Sequence, residues 1–374
     1  MNEGNAFLRL TQNMYFWVVF MAFSTLLHFY DRYAQNTRTE RYIPDRITYL
    51  TEPLLLPEIW LTVLVINMIL YRDAGVLHAL ASITVRIVVT TALWFGLLVL
   101  LAPKLPHIIS ARGRAALWIL PNQLYIMINV SMIFVADYSS PISVRIPGHA
   151  AVPLLAVWVM GAAAVMGWHL ASHFRFRREL LQSARPELGD PAQKLWVSAC
   201  ATHKVRADIP LTRSAAVETP LSVGCFQKTM VLVLPEKGYT ADELELIYRH
   251  ELRHIKRADM RTKIWMALWK SLLWFFPPVW WAAKITAEDL ELCCDEEVLT
   301  GAEPEERRRY AELLLDAAAP AAGFSTCLSA DARVLGRRVK QAVRPEKVWR
   351  GDWIVGLAAG LLMLLAANFT IVLL

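Results

Sequence analysis

The 374-residue sequence is poor in charge. Asp, Glu, Lys and Arg make up 19% of it, against 56% hydrophobic residues. A soluble domain usually carries about a quarter charged residues, so the shortage argues against a wholly soluble chain. Cysteine is scarce too. Cys200, Cys225, Cys293, Cys294 and Cys327 contain no CxxC pair and are odd in number. That excludes a disulfide framework and suits a reducing compartment for the polar part. The N-terminus lacks a basic region followed by a short apolar core, so it reads as the lead-in to a membrane helix and not as a cleaved signal peptide. The net charge is +6, but no nucleic-acid recognition motif accompanies it. A direct nucleic-acid partner is not expected.

What is present is apolar mass in long runs. A spanning helix needs about 20 mostly apolar residues. Residues 12–30, 76–103, 115–136, 150–171 and 353–374 qualify, and 54–71 is a weaker sixth with Glu58 near its start. Five spans before residue 171 sort the basic loops. Arg32, Arg38, Arg41 and Arg46, then Lys104, Arg112 and Arg114, then Arg175, Arg177 and Arg178 fall on one side. The opposite loops carry only Arg72 and Arg145, and the N-terminal tail Arg9. Basic loops stay cytoplasmic. The expected topology has the N-terminus outside, residues 172–350 inside and the last helix running outward. The chain is thus expected to be multi-pass, in a bacterial cell (inner) membrane, with membrane lipids as partners. Arg86, inside the third span, reads as paired within the bundle. His28, His78 and His169 read as structural.

The polar part begins after a linker, residues 172–190, with Pro186 and Gly189. Leu195–Cys200, Ala215–Val217 and Met230–Leu234 read as short strands, the last a core strand or an edge on which a substrate could pair. Thr240 followed by Glu243 is a capping box that opens a helix. Leu244, Ile247, Glu251, His254 and Ile255 share one face of it. A buried face holding a glutamate and a histidine is costly unless something pairs with them. A second helix runs over about 286–300 to Gly301, and Glu303–Ala317 forms a third with Arg307, Arg308 and Arg309 on a solvated face.

The chemistry sits on the first of these helices, in His250-Glu251-Leu252-Arg253-His254. Imidazoles at i and i+4 project one turn apart and can bind one tetrahedral Zn²⁺. Glu251, beside the first ligand, is placed to take a proton from a water that attacks a peptide carbonyl, and to pass it to the leaving amine. Such a string arises by chance in roughly one chain in a hundred of this size, so its place on a capped helix after a strand-like run matters. A third ligand must be His, Asp or Glu, and Glu291 lies on the next capable helix. Asp295, one turn on, would orient a ligating imidazole, and Asp259 either does similar work or ends the helix. Cys293 and Cys294 read as packing residues, and His203 as an ordinary surface histidine.

Residues 264–283 are Trp-rich and nearly uncharged, with Pro277-Pro278 inside. Alone they would be another span. Yet His254 precedes them and Glu291 follows. If both bind one zinc, the segment must turn back, as a re-entrant hairpin or an interfacial helix pair.

These blocks together resemble a known family, the bacterial membrane metallopeptidases typified by the β-lactam-sensing antirepressors. The resemblance runs through Thr219–Gly224, Leu232–Pro235, His250–Asp259 and Glu291–Asp295, and covers roughly residues 190–320. It implies a gluzincin-like peptidase domain facing the cytoplasm, cleavage of a cytoplasmic transcriptional repressor, and self-cleavage. The related prenyl-protein endopeptidases share a glutamate followed four residues later by an aspartate, which supports Glu291 as ligand. The sensor members carry an extracellular penicillin-binding domain after the last helix. This sequence runs to Leu374 and has no Ser-x-x-Lys nucleophile, so sensing is expected through the bundle or a separate sensor protein.

The reading as a whole is a mainly α membrane protein in three parts. Residues 1–171 are a multi-span helical bundle, 172–350 a cytoplasmic α+β zinc peptidase domain, and 351–374 a C-terminal transmembrane helix. One zinc is held by His250, His254 and Glu291, with Glu251 catalytic and Asp295 behind the ligands. The competing reading is a catalytically silent scaffold that keeps the metal site.

Overall fold

The computed structural model describes residues 53–66, 74–125, 142–187, 191–203, 208–224, 229–317, 328–344, 351–367 and 369–373, with a few isolated positions between. The expected span 12–30 and the second half of 115–136 lie outside them. The membrane-like part contains α1 (Leu55–Ile66), α2 (Ala74–Leu101), α3 (Ala111–Ile119), β1 (Ile142–Ile146) and α4 (Gly148–Ser183). The polar part contains β2 (Arg185–Pro186), α5 (Pro191–Thr202), β3 (Leu211–Ser214), β4 (Leu221–Val223), β5 (Val231–Pro235), α6 (Ala241–Arg257), α7 (Asp259–Leu272), α8 (Pro278–Val298), α9 (Pro304–Ala317) and α10 (Leu328–Val343). The chain closes with α11 (Asp352–Ala367) and β6 (Phe369–Leu373).

Two described helices are long and apolar enough to cross a membrane, over Leu80–Leu101 and Val152–Ser183. They are used differently. In α2, Ile87, Trp94, Phe95 and Leu98 are buried in a core shared with Trp265 and Trp269 of α7. In α4, Val152, Leu154, Val157 and Met160 are all more than half exposed. The stretch of α4 before Arg175 carries no Asp, Glu, Lys or Arg, and its exposed apolar surface is suited to lipid. Arg86 on α2 donates from Nε to the Ala366 carbonyl at 2.8 Å, satisfying the C-terminal end of α11. The expected last span, 353–374, is shorter than its apolar run. The helix stops at Ala367, and Phe369–Leu373 pairs in parallel with β1 instead.

The sheet order in the polar part is β2-β3-β5-β4, with β3 and β5 parallel and the outer pairs antiparallel. Two expected strands are corrected. Leu195–Cys200 lies in helix α5. Ala192, Trp196 and Cys200 recur every four residues and are the buried positions, a helical period that a six-residue window disguised. Ala215–Val217 is a turn, and the strand is Leu211–Ser214 just before it. Met230–Leu234 does correspond to β5, but it lies inside the sheet. The edge strands are β2 and β4. Gly224 follows β4 at φ +140°, and a Cβ there would meet the Thr229 carbonyl at 2.5 Å.

The capping box of α6 forms as read from the sequence. Thr240 Oγ1 accepts from Glu243 N, and Glu243 Oε2 accepts from Thr240 N at 2.7 Å. Leu244, Ile247, Tyr248, Leu252 and Ile255 pack on the sheet and on Trp196. The helix ends because Ala258 enters the left-handed region, φ 55° and ψ 40°, which turns the chain into α7.

The chain reverses again at Leu273–Pro277, so α7 and α8 form a helical hairpin. Its tip is fastened to α4. Trp158 Nε1 donates to the Leu272 carbonyl at 2.7 Å. The Trp274 ring lies so close to Gly161 that a Cβ there would sit 2.3 Å from it. On its other side α8 meets α3 through a buried ion pair, Arg114 Nε to Asp289 Oδ1 at 2.7 Å. Trp118 Nε1 donates to Asp289 Oδ2 at 2.9 Å, and Arg114 Nη1 to the Ile109 carbonyl. Removing one partner of such a pair leaves a buried unpaired charge. Arg114→Ala is therefore expected to destabilise the fold by about 3 kcal/mol or more, whereas the surface change Arg308→Ala should cost less than about 1 kcal/mol. Detergent-solubilised thermal or urea unfolding of the two variants checks the contrast.

Candidate metal centre

His250 and His254 stand one turn apart on α6, with their Nε2 atoms 3.0 Å from each other. What surrounds the other ring nitrogens decides what this contact is. Tyr310 Oη donates to the Asp295 carboxylate at 2.6 Å, which uses its only hydrogen. The 2.8 Å contact between Tyr310 Oη and His250 Nδ1 must then be a hydrogen bond donated by the imidazole. His254 Nδ1 donates in the same way to Asp259 Oδ2 at 2.6 Å. Both neutral rings thus commit their N–H outward and turn a lone pair toward each other. Two lone pairs at this distance need a positive charge between them, either a proton on one or a metal ion shared by both.

Glu291 on α8 argues for the second. Its Oε2 lies 3.6 Å from His250 Nε2 and 3.5 Å from His254 Nε2. A tetrahedral zinc with bonds near 2.0–2.1 Å separates its ligand atoms by roughly 3.3 Å. The triangle of 3.0, 3.5 and 3.6 Å fits that spacing. The electrostatics agree. Burial alone would lower the His250 pKa, but the Cys294 thiol, Glu291 and their hydrogen bonds override it and raise it to about 10. Burial would likewise lower His254, yet Cys294, Glu291 and Asp259 raise it well above the ordinary value. Burial would raise Glu291, and the two imidazoles instead hold its carboxyl well below the usual carboxylate range. The field is negative around the histidines, as a bound dication needs.

Cys294 and Cys293, read alike from the sequence, separate here. Cys293 packs against Ala111 and Leu292. The Cys294 sulfur lies within 4.8 Å of the ligand atoms of both histidines and donates to the His250 carbonyl at 3.3 Å. With His250 and His254 it forms a group of three donors that could hold a metal ion, so the reading of Cys294 as a packing residue is corrected, while Glu291 lines the cavity. That cavity, about 390 Å³, is also lined by Glu251, Leu221 and Ser222 of β4, and Leu313 of α9. Glu251 is buried beside it.

Two participants were not read from the sequence. Tyr310 stands between Asp295 and His250, so the carboxylate reaches that imidazole through a phenol, its own Oδ1 being 3.5 Å from Nδ1. Arg338 on α10 holds Asp295 from the far side, with Nε to Oδ2 at 2.7 Å and Nη2 to Oδ1 at 2.8 Å. Tyr310 follows the Arg307–Arg309 run, which read as solvated. Only Arg308 and Arg309 are exposed. Arg307 donates to the carbonyls of Leu299, Ala302 and Ala342. His203 is not an ordinary surface residue either. It is half-buried, and burial with Lys256, Arg253 and Arg249 nearby lowers its pKa to about 4.

A helix-borne histidine pair with a carboxylate 3.5 to 3.6 Å from it stands beside two described helices of membrane length. The chain belongs to the BlaR1 peptidase M56 family, whose profile matches residues 61–341. Among curated relatives, the regulatory protein BlaR1 of Bacillus licheniformis is 26% identical over 160 residues, 43% of this chain and 26% of its own length. The methicillin resistance mecR1 protein of Staphylococcus aureus is 24% identical over 163 residues, 43% of this chain and 28% of its own. The matched stretch is thus little more than a quarter of each relative.

Carboxylates that orient ligating imidazoles typically change metal affinity by about 10- to 100-fold when removed. Asp259→Ala is expected to lower zinc affinity by that factor, as measured by competition with a chromophoric chelator. Unchanged affinity would show that the 2.6 Å bond to His254 does nothing for the metal.

Proposed function

We propose that the chain is a membrane-embedded zinc endopeptidase that cleaves a cytoplasmic or juxtamembrane protein in regulatory signalling. The observation that carries this is the pair of facing Nε2 lone pairs with Glu291 completing the triangle. In this reading His250, His254 and Glu291 bind the metal. Asp259 holds His254, and Asp295 holds His250 through Tyr310. Bound zinc would supply Lewis-acid chemistry, making a water nucleophilic near neutral pH and polarising the peptide carbonyl. Glu251 takes the proton of the attacking water and returns it to the leaving amine. An extended substrate pairs with the free edge of β4, where Leu221 and Ser222 line the cavity, and not with the interior strand β5.

The membrane placement follows the same geometry. The α7–α8 hairpin leaves from and returns to the side of the chain that carries the metal centre. Its tip contacts Trp158 and Gly161, more than ten residues before the basic run Arg175, Arg177 and Arg178 on α4. At 1.5 Å per residue that is a re-entrant hairpin reaching well into the bilayer. In this reading the basic residues mark the cytoplasmic side and the active centre lies on it. The regulatory and resistance names of the relatives agree with a repressor as substrate.

Glu251→Gln is expected to keep about one zinc per chain and to lose cleavage by at least about 100-fold, the usual scale of a general base. The comparison is metal content by plasma mass spectrometry beside the cellular proteome with wild type and variant, seeking a fragment that disappears. A variant that still cleaves at the wild-type rate would remove Glu251 from the mechanism. A wild type that holds zinc yet produces no fragment would favour a silent scaffold.

A further inference from the structure

The peptidase reading uses neither of the adjacent cysteines of α8. Neighbouring residues on a helix point about 100° apart, so only one of the two can face α6. Cys293 turns to Ala111 and Leu292. Cys294, three residues past Glu291, turns to the histidines. It is buried, and its sulfur and the ligand atoms of His250 and His254 all lie within 4.8 Å of one another. Its bond to the His250 carbonyl, 3.3 Å, seats it against the backbone of α6. Glu291 reaches the same two Nε2 atoms, at 3.6 and 3.5 Å, from the cavity. Glu291 and both histidines line that cavity, and Cys294 takes no part in the lining among the described residues.

The histidine pair therefore faces two third donors, a carboxylate on the cavity and a buried thiol. A tetrahedral zinc with Zn–S near 2.3 Å and Zn–N near 2.0–2.1 Å holds sulfur and nitrogen roughly 3.6 Å apart. From within 4.8 Å the sulfur has no more than about 1.2 Å to close. We propose that Cys294 is an alternative metal ligand, which with His250 and His254 holds the ion in a resting form drawn away from the cavity. The inference rests on the zinc reading of the centre. On binding, the S–H bond breaks, a sulfur–metal bond forms and the thiol proton passes to water. The bond to the His250 carbonyl is given up in exchange. Thiolate is a soft ligand well suited to zinc, so the buried set competes with the carboxylate. An ion held by Cys294 recedes from the space where a peptide carbonyl has to meet it. Transfer to Glu291 brings the ion back to the cavity that Glu251 lines.

The test is zinc X-ray absorption on the full chain in detergent, with metal content measured on the same samples. Wild type should show a sulfur neighbour near 2.3 Å. Cys294→Ala should lose it and keep zinc, and Cys294→Ser, which preserves the volume, should do the same. Cys293→Ser should keep the sulfur signal. Glu291→Gln should keep both zinc and sulfur. Zinc with only nitrogen and oxygen neighbours in wild type overturns the proposal and leaves the zinc reading standing, and absence of zinc from wild type overturns that reading itself. A sulfur signal that survives both Cys294 variants belongs to another side chain and also overturns the proposal. If the resting form holds half of the molecules or more, Cys294→Ala should raise basal production of the fragment that Glu251→Gln abolishes about twofold or more. Loss of the sulfur signal with no such rise would make Cys294 a ligand of the working centre and overturn the resting form.

Discussion

Two imidazole lone pairs held 3.0 Å apart are the contact on which this structure turns. Without a proton or a metal ion between them they repel, and each ring could relieve the repulsion only by rotating or by exchanging tautomers. Neither relief is open. Asp259 and Tyr310 each take an N–H at 2.6 to 2.8 Å, which fixes both tautomers. The fixing depends on backbone features further out. Asp259 reaches His254 only because Ala258 adopts a left-handed conformation and turns the chain back on the helix end. That conformation costs an alanine roughly 1–2 kcal/mol. The cost is local strain beside a proposed active centre, the setting in which strain tends to persist.

The same contact organises α8. One face of this helix presents Glu291, Cys294 and Asp295 to the histidines. Another presents Asp289 to Arg114 and Trp118 of α3, and Glu296 to the Ala111 amide. The bundle and the metal centre therefore share one rigid element. A displacement of α3 would be felt two residues away, at Glu291. Buried charges appear in pairs on both faces, Arg114 with Asp289 and Arg338 with Asp295. That is the condition under which such groups can be buried at all.

The parts of this arrangement legible in the sequence were the local ones. The HELRH string, the Thr240–Glu243 box and the Pro277-Pro278 break each act within a few residues. Their spacing alone states what they do. The reversal of 264–283 was legible for a different reason: two ligand candidates on either side of it had to meet. Leu195–Cys200 misled because a mostly apolar run of six residues, with β-branched Val197 and aromatic Trp196, cannot separate a period of two from one of 3.6. Tyr310 and Arg338 were illegible because they reach the centre from 60 and 43 residues beyond His250 and Asp295, respectively. Nothing in an Arg-Arg-Arg-Tyr run says which side chain faces inward. Asp259 stood between: close enough in sequence to be suspected, but dependent on an unforeseen left-handed alanine.

That division has a consequence for how the centre forms. Helix α6 can present two histidines as soon as it packs on the sheet, because its apolar face and its cap are its own. A pair of histidines on one helix is a weak metal site. Glu291, the proposed third ligand, arrives only when the α7–α8 hairpin closes against α2 and α4. The clamp on His250 arrives later still in the chain, with α9 and α10. Asp295 is nearly inaccessible to water and would be costly there as an unpaired charge. It therefore favours a packed α8 only in company with Arg338. The polar chain His250–Tyr310–Asp295–Arg338 is thus cooperative by necessity, since each member satisfies a neighbour that burial would otherwise penalise. It couples the hairpin fastened to α4 to the helix that closes the cavity.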